Sequence, residues 1–87
     1  MSARRATSLW IPVDARSRTE LHQYRQHSPL LTIRAGRPAL LVTLTVPERI
    51  EPGHVEFARQ LAASAAAYAV EVERHHRRLT VAKEATA

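Results

Sequence analysis

The chain has 87 residues, enough for one modest core, and its 45% apolar and 24% charged content is that of a folding globular protein rather than a disordered or collagenous one. It has no cysteine, which excludes disulfides, thiolate zinc sites, iron–sulfur clusters and cysteine nucleophiles. The net charge of +5 sits at the two ends, because from Ala6 to Glu73 seven arginines balance seven carboxylates.

Residues 1–7 are expected to be a flexible basic tail, and no stretch reaches the roughly eighteen apolar residues of a membrane span. The basic opening Met1-Ser-Ala-Arg-Arg is followed by a segment broken at Pro12, Asp14 and Arg16, not by a signal-peptide core, so a cytoplasmic protein is expected. A single α+β domain is expected over residues 8–79. Ser8–Val13 alternates, with Leu9, Ile11 and Val13 on one side, and reads as an edge strand because Pro12 removes a ladder donor. Ser17-Arg-Thr-Glu20 has the form of a capping box, which favours a short helix carrying Leu21 and Tyr24 over the alternatives of an irregular excursion or a polar edge strand.

Ser28-Pro29 breaks the chain. The runs Leu30–Arg34 and Ala39–Val46 are rich in branched residues and flank Ala35-Gly36-Arg37-Pro38, which predicts a β-hairpin whose glycine takes a positive φ. In its second strand Leu40, Val42, Leu44 and Val46 share the face that meets a core.

Glu51 and Pro52 mark a helix start, with Ile50 and Val55 placed as a hydrophobic staple. From there Phe57, Leu61, Ala65, Tyr68, Val72 and Leu79 recur at helical spacing, and no proline or glycine after Gly53 interrupts them. A helix packed over the sheet is expected from Pro52 to about Arg78, with residues 80–87 fraying.

Such a helix spans roughly 40 Å, against about 20 to 27 Å for strands of six to eight residues. Its distal stripe therefore lacks a partner within the chain. A two-fold dimer resolves this, with Tyr68, Val72, His76 and Leu79 as its interface and the small side chains of Ala58, Ala62, Ala65 and Ala69 permitting close approach.

The chemistry of catalysis is missing. His75 and His76 diverge by about 100° on a helix, His22 and His27 are five apart, no serine sits in an elbow motif, and only two glycines are present. No enzyme, metal or cofactor is expected. The expected function is that of a non-catalytic dimeric accessory or regulatory module acting on another protein through its long helix. The alternative is nucleic-acid binding through the terminal clusters Arg4, Arg5, Arg74, Arg77 and Arg78, since clustered arginines attract phosphates.

Overall fold

The computed structural model of the chain describes residues 6–85. Three strands, β1 (Arg18–His22), β2 (Leu30–Ala35) and β3 (Leu40–Thr45), precede one helix, α1 (Pro52–Ala85). The strands form an antiparallel sheet in the order β1-β2-β3. The expected class, a small antiparallel sheet with one long C-terminal helix, is what the chain adopts. It divides into two compact units, one ending at Arg49 and one beginning at Ile50.

The hairpin follows its sequence signals. Ala35 pairs with Leu40 across the loop Gly36–Ala39, and Gly36 has φ 91°, the left-handed region that favours glycine. The register places Ala35, Ile33 and Leu31 opposite Leu40, Val42 and Leu44, so one face of the sheet is apolar. On the other face Thr32 and Thr43 are paired, and their hydroxyls lie 3.2 Å apart in a hydrogen bond.

The first strand is not the one that local signals pointed to. Ser8–Val13 has no ladder partner, and the sheet edge beside β2 is occupied by Arg18–His22, which lies where the short helix was expected. The reason is visible at Asp14–Ser17. The Asp14 amide donates to Ser17 Oγ at 3.0 Å, the Ser17 amide to Asp14 O at 3.0 Å, and the Arg16 amide to Asp14 Oδ1 at 2.8 Å. Ser17 thus closes a turn instead of capping a helix, and the capping-box reading fails. A helix there would have buried only Leu21 and Tyr24. As a strand, the same residues gain ladder hydrogen bonds and set Leu21 opposite Leu31.

The displaced segment still has a role. Ile11 is half-buried against Gly36, and the Arg37 guanidinium pairs with Asp14 at 3.3 Å, so the stretch from Ile11 to Asp14 is held to the hairpin loop at two points. At the other end of the sheet the Ser28 hydroxyl donates to Pro47 O at 2.9 Å, tying the β1–β2 connection to the exit of β3.

The helix is longer than expected. It continues past Arg78 to Ala85, 34 residues in all, because no proline or glycine follows Gly53 to stop it. Residues 80–85, expected to fray, are helical. Among the described residues only Ala35 is buried.

Candidate functional site

α1 begins at Pro52, directly after Glu51, as the sequence implied, and the side chain that bonds across this start is one the sequence did not point to. Glu51 precedes Pro52, and the Glu51 amide donates to His54 Nδ1 at 2.8 Å while the His54 amide donates to Glu51 O at 2.9 Å. His54 occupies the third helical position, where a capping box normally places Glu or Gln, and supplies the acceptor from its ring. The absence of a carboxylate at that position hid this cap from pattern reading.

Beyond the cap, helical phase sorts the side chains. At about 100° per residue, Tyr68, Val72 and Leu79 fall within an arc of about 40°, with Phe57 and Leu61 on the same side. Tyr68 is 64% exposed, Val72 48% and Leu79 65%. His76 stands about 40° beyond Val72 at the margin of this stripe, and His75 about 20° beyond Tyr68 on the other side. The small residues Ala58 and Ala65 border it, so the stripe combines shallow and protruding positions.

The basic residues take the opposite side. Arg74, Arg77 and Arg78 span an arc of about 100° that does not overlap the apolar stripe. Arg74 is already engaged, its Nη1 lying 2.8 Å from Glu71 Oε2. Arg4 and Arg5, the other expected polyanion contacts, lie outside the described residues.

The sheet unit carries a feature that sequence reading missed. An open depression of about 370 Å³ is lined by Asp14, Arg16, Ser17, Arg34, Gly36 and Arg37 among others. Arg37 is paired with Asp14, whereas Arg16 and Arg34 have no carboxylate partner among the described residues. Cross-strand pairing adds to the local positive charge, because Arg18 lies directly opposite Arg34. The Arg18 Nη1 donates to Ala15 O and to Ser17 O, each at 2.8 Å. The depression has no histidine in its lining, and its serine hydroxyl is held by the Asp14 amide, so nothing in it pairs a nucleophile with a base. No spacing rule could have found it, because it joins residues about twenty positions apart through the β1–β2 pairing.

Among the described residues no group of three His, Asp or Glu side chains is placed to hold a metal ion. No helix among them is long and apolar enough to cross a membrane. No protein-family model, curated protein or solved structure matches the chain.

Proposed function

We propose that this chain is a non-catalytic accessory or regulatory module of the cytoplasm that works as a homodimer and acts by protein–protein contact through α1. One observation carries the reading: Ala35 alone is buried among the described residues, while Phe57, Tyr68, Val72 and Leu79 stand exposed along the helix. A chain of this size has little stability to spare, and one that leaves such side chains in water gains by covering them with a partner.

Lengths support the same conclusion. A helix of 34 residues extends about 51 Å, and strands of five or six residues reach about 20 Å, so no packing of the one along the other covers the whole stripe. A second copy of α1 matches it in length. The interface is assigned to Tyr68, Val72, His76 and Leu79.

Light scattering over a range of concentrations tests this. The wild-type protein is expected at twice the chain mass, and Val72→Glu combined with Leu79→Glu is expected at the chain mass with its helix retained. A wild-type monomer at high concentration would overturn the reading.

A second reading rests on the grouping of Arg74, Arg77 and Arg78 on one side of α1, away from the stripe. That face suits a phosphate backbone, and in a dimer it occurs twice. Replacing all three with alanine is expected to abolish salt-sensitive retention of duplex DNA or RNA if the surface binds nucleic acid. Unchanged retention eliminates it.

A further inference from the structure

We infer that the second copy of α1 lies antiparallel to the first, centred between Ala66 and Ala67, an inference that rests on the dimer proposed above. The stripe is a heptad pattern. Ala58, Ala65, Val72 and Leu79 recur every seven residues, and His54, Leu61, Tyr68 and His75 form a second series that alternates with the first at spacings of three and four. One series is small toward its start, and the other is bulky throughout.

That asymmetry decides the orientation. A parallel, in-register pair places Ala65 against Ala65 and Tyr68 against Tyr68, which leaves a void in one layer and crowding in the next. In the antiparallel pair every layer joins a bulky residue to a smaller or branched one. Tyr68 faces Ala65 of the second copy, His75 faces Ala58, and Leu61 faces Val72.

Charge points the same way. In the parallel pair the flanking positions bring Arg78 beside Lys83 of the second copy, and the basic ends of both helices run together. In the antiparallel pair Arg78 lies over the ring of Phe57, Glu71 meets the hydroxyl-bearing Ser64, and the basic end of each helix lies along the end bearing Glu51 and Glu56. The helix dipoles also oppose. Sliding the antiparallel pair one heptad toward the C-terminus sets Glu71 against Glu71, which disfavours that register.

Spin labels measure the arrangement directly, because the chain has no cysteine of its own. Arg59→Cys, Ala66→Cys, Glu73→Cys and Thr80→Cys place single labels at equivalent positions away from the stripe. The antiparallel pair predicts the shortest interchain distance at position 66. Axial offsets of about 20 Å are added at positions 59 and 73, and of about 40 Å at position 80. Light scattering on each labelled protein confirms its mass. Four equal distances in a protein of dimer mass overturn the orientation while the dimer stands, and a minimum at position 73 overturns the register. A labelled protein that is monomeric and gives no interchain distance removes the dimer and this inference together.

Discussion

Ile11 rests on Gly36: a β-carbon built on the glycine would stand 3.3 Å from Ile11 Cγ2, and the glycine itself has φ +91°. Two demands thus meet at one residue of the hairpin loop, a backbone angle that L side chains seldom adopt and a close approach by the segment preceding β1. Gly36→Ala is expected to cost about 1–3 kcal/mol, the range for a non-glycine residue held in such a region. The steric share is separable. Ile11→Ala made together with Gly36→Ala is expected to cost less than the sum of the two single changes, as read from urea denaturation midpoints.

His54 is expected to act as a cap through its ring acceptor. His54→Ala leaves the Glu51 amide without that partner and is expected to lower stability by about 0.5–1 kcal/mol, with faster amide exchange confined to the first turn of α1. His54→Gln restores an acceptor at the position where capping boxes use one, and is expected to recover most of the loss. Equal effects of alanine and glutamine would show that the ring bond contributes nothing.

Asp14 and Arg37 form an exposed pair, and their two substitutions are expected to differ. Arg37→Ala removes only the ion pair and is expected to change stability by less than about 0.5 kcal/mol. Asp14→Ala also removes the acceptor for the Arg16 amide in the turn that leads into β1, and is expected to cost about 1 kcal/mol. Asp14→Asn keeps an acceptor there and is expected to behave like the arginine change. Chemical denaturation of the three variants decides the order.

Arg18 and Arg34 face each other across β1 and β2 with like charge. Arg34→Glu replaces the repulsion with attraction, and a gain of about 0.2–1 kcal/mol is expected at low salt, shrinking as salt is raised. A loss of stability at low salt would mean that Arg34 serves a contact of greater value than the repulsion it causes.

If the dimer couples to folding, thermal stability depends on concentration. The midpoint of wild-type unfolding is expected to rise with protein concentration, and that of Val72→Glu with Leu79→Glu is expected to be independent of it. A concentration-independent wild-type midpoint would argue against association as a source of stability.

The hairpin and the helix were legible in the residues because their determinants are local. Gly36 supplies the turn, branched residues flank it, and after Pro52 and Gly53 nothing in the chain stops a helix. Even the alternating faces of β3 followed from period alone. The C-terminal limit of α1 lies beyond the end of its clear apolar stripe at Leu79, because the residues that follow still favour helix. The place of the first strand departs from the local pattern for a different reason. Ser8–Val13 alternates and Arg18–His22 scarcely does, yet pairing depends on which segment can reach the open edge of β2. The turn at Asp14–Ser17, closed by the two hydrogen bonds between Asp14 and Ser17, delivers the second segment there and leaves Ile11 to cover Gly36. The arginine-lined depression is likewise a product of that pairing. Local propensity and breakers are written in neighbouring residues, whereas the choice among competing strands is a comparison of whole arrangements, and only the folded chain makes it.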